Sequence, residues 1–231
     1  MSGPTPSTLL RLAAVVPLLG ILGCDPPAPA ARVWPAGTVL ALDDVPILES
    51  EVDVAADVFA RLEPDLAPPQ LSRLGLTNLV LPQLAGRRLA GSAREEAHRK
   101  ALELAQVLAE GGTLGGPLAD AILADREGRA GDVGLEAWMW ASTAEVGRWS
   151  APIETVGAYE IVRLVERTPA SAAREVRYKL KVCVIPYVDA SDPRGAIEGQ
   201  LSRSKLEIVD PKWEEIVPEY WKHRLRGGNR P

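Results

Sequence analysis

The chain has 231 residues, of which 46% are apolar and 25% are charged, and its mean hydropathy is close to zero. This composition predicts a folded body of one or two domains and excludes a polytopic membrane protein, a collagen-like fibre and a fully disordered chain. The formal net charge of -5 gives no electrostatic footprint for nucleic acid, so no nucleic-acid partner is expected.

Few residues are available for metal or cofactor chemistry. The chain has two cysteines, Cys24 and Cys183, and two histidines, His98 and His223. Two cysteines cannot form a disulfide framework, and no group of His and Cys has the spacing of a metal site. The glycine-rich run at 111–116 lacks the Lys and the Ser or Thr of a phosphate-binding loop. We therefore expect no metal ion and no cofactor.

The N-terminus predicts export. Residues 9–22 form an apolar run that is too short to span a bilayer of about 30 Å but suits the central part of a signal peptide. The run ends in Ile21-Leu22-Gly23-Cys24, which resembles the lipobox of bacterial lipoproteins. The resemblance implies a signal peptide over 1–23 and lipidation of Cys24, which would anchor the mature chain to an envelope membrane, facing the periplasm or exterior. The alternative is an ordinary secretory signal with a chance cysteine.

The segment after Cys24 predicts a tether followed by a small sheet. Residues 24–37 are rich in Pro and Ala, which is typical of a stiff, extended linker. Residues 38–42 and 45–48 then read as two short strands around a turn.

Three helices are expected between these strands and residue 111. The first has Ser50 and Asp53 at the spacing of a capping box. The second covers about 71–90, although Pro82 would kink it and residues 78–81 could instead form a strand; we favour the helix. The third follows a second capping box, at Ser92 and Glu95, and has the clearest helical spacing.

The segment after this third helix is predicted to be irregular. Residues 113–130 are interpreted as loop, with a short helix around 118–124. Residues 138–140 lie on another short helix, which ends before Gly147. His98, one step off the apolar row of its helix, is interpreted as a surface residue.

The strongest strand pattern covers 176–184, where apolar and polar residues alternate. Cys183 falls on the polar face with Lys179 and Lys181, and these cations could lower the pKa of its thiol. No base is visible nearby, so we interpret the thiol as a spectator rather than a nucleophile. Residues 159–165 form a second, nearly continuous apolar strand.

The C-terminal part predicts a helix, a short strand and a last helical stretch. Asp192-Pro193 and Asp210-Pro211 are typical helix starts, and residues 206–209 between these helices form the strand. The strand at 38–42 and the strand at 206–209 lack local partners. An isolated two-stranded hairpin is marginal in water, so we expect the two ends of the chain to pair.

Two parts of the chain resemble one kind of protein. The segment Gly131-Asp132-Val133-Gly134, followed by residues 146–155 and 159–167, resembles the C-terminal half of parvulin-type peptidyl-prolyl isomerases. Residues 40–53 and 205–210 resemble the opening and the closing strand of the chaperone module in SurA- and PrsA-type envelope foldases.

This resemblance implies an α+β fold. A degenerate parvulin-like domain over residues 91–170 would be inserted in a SurA-like chaperone module built from residues 38–90 and 171–231. Parvulins have a first strand that is missing before the helix from Ser92, and the strand at 176–184 is expected to supply the vacant edge.

The resemblance also implies candidate site residues. Parvulins twist the prolyl peptide bond with polar residues, often including two histidines, near an apolar pocket. The candidate catalytic residues are Glu160 and Asp132, and the candidate substrate-binding residues are Trp138, Met139, Trp140 and Tyr159. Glu160 stands where the family has histidine, and Ala158 stands where it has glycine. Packing of the Trp-Met-Trp run in the core is the alternative interpretation.

The sequence therefore predicts an envelope lipoprotein of the parvulin type that acts as a chaperone on unfolded or proline-containing polypeptide segments. Its prolyl isomerase activity is expected to be weak or absent. The alternative is a non-catalytic scaffold lipoprotein that binds one specific partner. A hydrolase that uses Glu160 or Asp132 as its base is disfavoured, because no nucleophile is paired with a histidine.

Overall fold

A computed structural model describes residues 32–112, 121–170, 175–188 and 191–226 of the chain. The chain divides into two units, Met1–Val33 and Trp34–Pro231, and every element below belongs to the second. The expected signal peptide, Cys24 and most of the tether lie outside the described residues. Within the described ranges, no helix is long and apolar enough to cross a membrane.

A three-stranded antiparallel sheet joins the two ends of the described chain. Strand β1 (Thr38–Leu42) lies between β2 (Val45–Leu48) and β7 (Leu206–Ile208). Leu40 lies opposite Ile47 on one side and Ile208 on the other. All five residues of β1 are buried, so the expected pairing of the chain ends is confirmed and forms part of the core.

Helix α1 (Glu49–Leu62) follows β2 without a loop. Its N-cap is Leu48, whose backbone N–H donates to Glu51 Oε2 at 2.8 Å. The expected capping box at Ser50 and Asp53 is therefore wrong. Because the strand runs directly into the helix, Ser50 already lies inside the first turn, where it cannot act as the N-cap residue.

The predicted second helix is confirmed, and Pro82 does not break it. Helix α2 (Pro68–Gly75) continues through a π-helical turn (Leu76–Val80) into α3 (Leu81–Ala90). In the π-helical turn the N–H of Leu81 donates to the carbonyl of Leu76, one residue further back than in an α-helix. Pro82 sits in the first turn of α3, a position where proline is tolerated.

Helix α4 (Ala93–Ala109) confirms the third predicted helix but not its cap. Ser92 has helical dihedral angles and makes no side-chain capping hydrogen bond. The capping box at Ser92 and Glu95 is therefore wrong, because a capping serine needs an extended backbone to aim its hydroxyl at the first turn.

A four-stranded antiparallel sheet forms the centre of the second half of the chain. Its strand order is β3 (Ile122–Gly128), β6 (Arg177–Pro186), β5 (Ala158–Thr168) and β4 (Ile153–Thr155). Two expectations are corrected here. Residues 122–128 form a strand rather than the end of a short helix and a loop, because each pairs with β6, whereas 118–120 of the predicted helix lie outside the described residues. Strand β6 lies inside the sheet rather than at a vacant edge.

Helices cover both faces of this sheet. Helix α4 packs on one face, and α5 (Ala130–Val133) and α6 (Leu135–Thr143) lie on the other, where α1 and the three-stranded sheet join the same hydrophobic core. Helix α7 (Pro193–Arg203) contacts α3, and a 3-10 turn (Pro211–Glu215) and α8 (Glu219–Arg226) follow β7. The fold is α+β, as expected, and the described residues form two antiparallel sheets.

The environment of Cys183 also differs from the expectation. Lys179 and Lys181 are exposed on the same face of β6, but Cys183 is fully buried because helix α4 covers this end of the strand. Burial raises the pKa of the Cys183 thiol. This shift supports the interpretation of Cys183 as a spectator.

Candidate functional site

Tyr159 and Glu160 are neighbours in β5 and point to opposite faces of the sheet. Tyr159 lies on the face covered by α4, whereas Glu160 lies on the face towards α5 and α6. The structure thus separates Tyr159 from Glu160, which lies on the same side of the sheet as the Trp138-Met139-Trp140 run of α6.

Glu160 is buried and bound by an arginine. Its Oε1 accepts from Arg126 Nη2 at 2.7 Å, and its Oε2 accepts from Arg126 Nη1 at 3.0 Å. Arg126 Nη1 also donates to the carbonyl of Val133. Two parallel charge-assisted bonds fix the carboxylate as the acceptor of a structural ion pair.

Asp132 lies apart from this ion pair, on the surface of α5. Its Oδ2 accepts from the backbone N–H of Arg129 at 2.9 Å and lies 3.9 Å from Arg129 Nε. This contact closes the short helical turn that follows β3. Its role in any catalysis stays a prediction.

A groove of about 450 Å³ lies between α1, α3 and α6. Most of its lining is apolar, and the apolar residues are Val54, Ala55, Val58, Leu79, Val80, Leu84 and Met139. Val54 is 66% exposed although it belongs to this apolar lining. The volume falls in the range of about 300–1,000 Å³ that is typical of ligand-binding clefts.

The polar lining of the groove includes Glu136, in the first turn of α6, and the other polar lining residues are Ser50, Glu51, Gln83 and Arg87. Burial raises the pKa of Glu136, and the negative charge of Glu160 raises it further. Hydrogen bonds from its own backbone amide and from Gln83, together with the charge of Arg126, act in the opposite direction. The groove therefore contains a carboxyl group that holds its proton to a higher pH than an exposed glutamate does.

The Trp-Met-Trp run on α6 divides between the core and the groove. Trp138 is buried in the main core, Met139 lines the groove, and Trp140 is partly buried at the edge of the core. The core interpretation therefore describes the two tryptophans, while Met139 contacts a space that a ligand could enter.

Tyr159 belongs to an aromatic cluster on the opposite face. Its ring stacks on His98 at 4.9 Å between ring centroids and meets Tyr187 edge-on at 5.5 Å. His98 itself is exposed, as expected. This cluster lies on the α4 side of the sheet and does not line the groove.

Two arginines clamp Glu154 of β4. Arg87 of α3 and Arg94 of α4 each donate two hydrogen bonds to its carboxylate, at 2.7–3.0 Å. Burial would raise the pKa of Glu154, but the bonds from Arg94 and Arg87 outweigh it and lower this pKa to about 2. The clamp ties two helices to the edge of the sheet.

A second cavity, of about 680 Å³, lies between the π-helical turn and α7. Its lining mixes apolar residues with charged and polar ones, and it includes Thr77, Asn78, Asp192 and Arg194. In the described part of the chain, no group of three or more His, Cys, Asp or Glu side chains could hold a metal ion.

Sequence reasoning missed several residues of the site. Arg126 falls in a segment interpreted as loop and helix, so no partner for Glu160 was visible. Val54 borders the groove, and the sequence marks it only as one apolar residue of the first helix. Glu136 had one signal, because it is the single charged residue in the otherwise apolar run 135–141.

Comparison of the chain with known protein families, with curated proteins and with solved structures found no match. The candidate site therefore rests on the geometry described above.

Proposed function

We propose that the protein is an envelope lipoprotein of the parvulin type that binds unfolded polypeptide segments as a chaperone, with weak or absent prolyl isomerase activity. The observation that carries this proposal is the largely apolar groove between α1, α3 and α6. An apolar cleft with an exposed valine on its rim suits apolar side chains of a client, which release water when they enter it.

The order of the elements supports a parvulin-like domain inserted in a chaperone-like module. The 131–134 segment, strand β4 and strand β5 follow each other in the order that the resemblance implies, and β5 pairs with both β4 and β6. The pairing of β1 with β7 joins the two ends of the chain around this domain. The groove lies where helices of the N-terminal segment meet α6.

The state of Glu160 supports the weakness of the isomerase. Rotation of a prolyl bond must overcome a barrier of about 18–20 kcal/mol, and the catalyst lowers it by binding the twisted amide more tightly than the planar one. Glu160 is an acceptor with both oxygens bound by Arg126, so it has no hydrogen bond to donate to a substrate.

The lipid anchor is the part of the proposal that rests on the sequence alone. It follows from Ile21-Leu22-Gly23-Cys24 after an apolar run. A chain held at the envelope by Cys24 would present its groove to polypeptides that cross or assemble at that membrane.

The test is suppression of aggregation by the purified full chain, with reduced and unfolded lysozyme as the client. We expect suppression by the wild type, a loss of several-fold for Val54→Asp, and no loss for the matched control Val146→Asp. Val146 is 62% exposed, close to the 66% of Val54, and lies outside the groove. Absence of suppression by the wild type, with tight binding of a single partner, would instead favour the scaffold.

A further inference from the structure

We propose that the groove selects polypeptide segments in which a Lys or Arg adjoins an apolar side chain, and that Glu136 is the residue that receives the cation. This inference rests on the proposed function, because it names the class of client that the same groove takes.

The position of Glu136 is the first reason. Glu136 and Met139 of α6 both line the groove, and the apolar residues Leu79, Val80 and Leu84 of the π-helical turn and α3 line the same space. An apolar side chain that enters the groove therefore brings its sequence neighbours within reach of one carboxyl group. Such a pair of contacts requires an apolar residue and a polar or charged one side by side.

The charges that surround the groove are the second reason. From α1, Glu51 lines the groove, while Asp53, Asp57 and Arg61 are exposed on the same helix but are not among the described lining residues. From α3, Arg87 lines the groove, but both its Nε and its Nη2 bind Glu154. Arg94 binds the same carboxylate, so one positive charge of this cluster is not compensated. The charged residues of the described lining are two carboxyl groups, Glu51 and Glu136, and the one arginine.

The groups behind Glu136 add no net charge. Glu160 of β5 and Arg126 of β3 face Glu136 and neutralise each other in their ion pair, and Gln83 of α3 is uncharged. One carboxylate oxygen of Glu51 accepts a hydrogen bond from the backbone N–H of Leu48, and Glu51 remains exposed. A client cation would therefore be attracted by carboxylates on two sides of the groove.

Binding of a cation is coupled to the proton of Glu136. Burial makes the charged form of this carboxyl group costly in the free protein. A client ammonium or guanidinium group stabilises the carboxylate, so its binding lowers the pKa of Glu136 and releases a proton. A neutral segment leaves the proton in place, and an acidic segment is repelled by the carboxylates of α1.

The test uses the full chain and three peptides that share one leucine-rich sequence and carry Lys, Gln or Glu beside each leucine. At low salt and neutral pH we expect the Lys peptide to bind at least about tenfold more tightly than the Gln peptide, which equals about 1.4 kcal/mol. The preference should vanish in Glu136→Gln and persist in the control Glu103→Gln, an exposed residue of α4 outside the groove.

A second measurement does not depend on a variant. Calorimetric titration of the wild type with the Lys peptide, in two buffers of different ionisation enthalpy and repeated at several pH values, should detect proton release that the Gln peptide does not cause. Equal affinity for the Lys and Gln peptides, or a preference that survives in Glu136→Gln, overturns the inference. If all three peptides bind equally and Val54→Asp abolishes binding, the inference fails while the proposed function stands. If no peptide binds, both fail.

Discussion

Arg126 and Glu160 form a two-bond ion pair beneath α5 and α6, and the carboxylate of this pair is the better buried partner. Their side chains are 26% and 9% exposed. Removal of the arginine leaves a buried carboxylate without its counter-ion, so we expect Arg126→Met to cost roughly 2–3 kcal/mol of unfolding free energy. The double variant Arg126→Met/Glu160→Met should recover at least half of this loss. Denaturant unfolding measures both, with Arg99→Met as the exposed control.

The same pair predicts the response of any prolyl isomerase activity. We expect kcat/KM on a proline tetrapeptide at least about tenfold below that of an intact parvulin, a deficit of about 1.4 kcal/mol or more in transition-state stabilisation. Glu160→His should restore little, because Arg126 would then face an imidazole without its counter-ion. High activity of the wild type that collapses in Glu160→Gln would contradict this account of the site.

The clamp on Glu154 predicts acid sensitivity. The pKa of this carboxyl group is about 2 in the folded state, compared with about 4.5 for an unperturbed glutamate. A lowered folded-state pKa contributes stability that is present above pH 4.5 and is lost as the pH falls towards 2. At about 1.4 kcal/mol per pKa unit the full contribution is roughly 3 kcal/mol.

Unfolding free energy measured against pH tests the clamp. The slope between about pH 4.5 and pH 2 should be steeper in the wild type than in Glu154→Gln. The exposed Glu103→Gln serves as the control, and its curve should follow that of the wild type. If the curves of unfolding free energy against pH are parallel for the wild type and Glu154→Gln, the clamp does not contribute to the loss of stability in acid.

Because β1 pairs with β7, we expect a single buried residue of β7 to stabilise the whole fold. Leu206 is 1% exposed and lies opposite Leu42 of β1. Truncation of a buried leucine leaves a cavity, so Leu206→Ala should cost about 2–5 kcal/mol. Leu102→Ala, at a residue of α4 that is 51% exposed, should change stability by about 0.5 kcal/mol or less. Thermal or denaturant unfolding compares them, and equal losses would refute the role of the β1–β7 pairing.

The lipid anchor predicts the behaviour of a cysteine variant. Two acyl chains hold a protein on a membrane stably, whereas one chain binds only marginally. We expect the wild type in the membrane fraction of a bacterial expression host and Cys24→Ser outside it. Cys183→Ser is the matched control and should stay with the membrane. An equal membrane-bound share for both cysteine variants would count against the lipobox.

The sequence predicts a helix or strand well where the spacing of apolar residues on one buried face identifies it. Strand β6 was predicted from its alternation, and α4 from its apolar row. Strand β3 was not predicted, because the three adjacent polar residues Asp125, Arg126 and Glu127 interrupt the apolar–polar alternation that identifies a strand in a sequence. It is a strand because it pairs with β6 along its whole length, which is a property of the tertiary structure.

The candidate site divides in the same way. Glu160 and Met139 were both identified from the resemblance, and both lie on one side of the sheet. Arg126 could not be identified, since its role exists only after β3 pairs with β6. Cys183 was expected on the polar face of β6 but lies in the core, for a similar reason. Helix α4 covers one end of β6 and leaves Lys179 and Lys181 exposed at the other.

The pairing of Leu40 with Ile208 fixes the order in which the molecule can be completed. Strand β1 leaves the ribosome, and crosses a membrane if the chain is exported, long before β7 does. Until then β1 has only β2 as a partner, and a two-stranded hairpin is marginal in water. Strand β1 therefore remains without its second partner, and its apolar residues remain exposed on that side, until β7 has been synthesised. During its own synthesis, the protein therefore exposes apolar segments of the kind that we propose it binds.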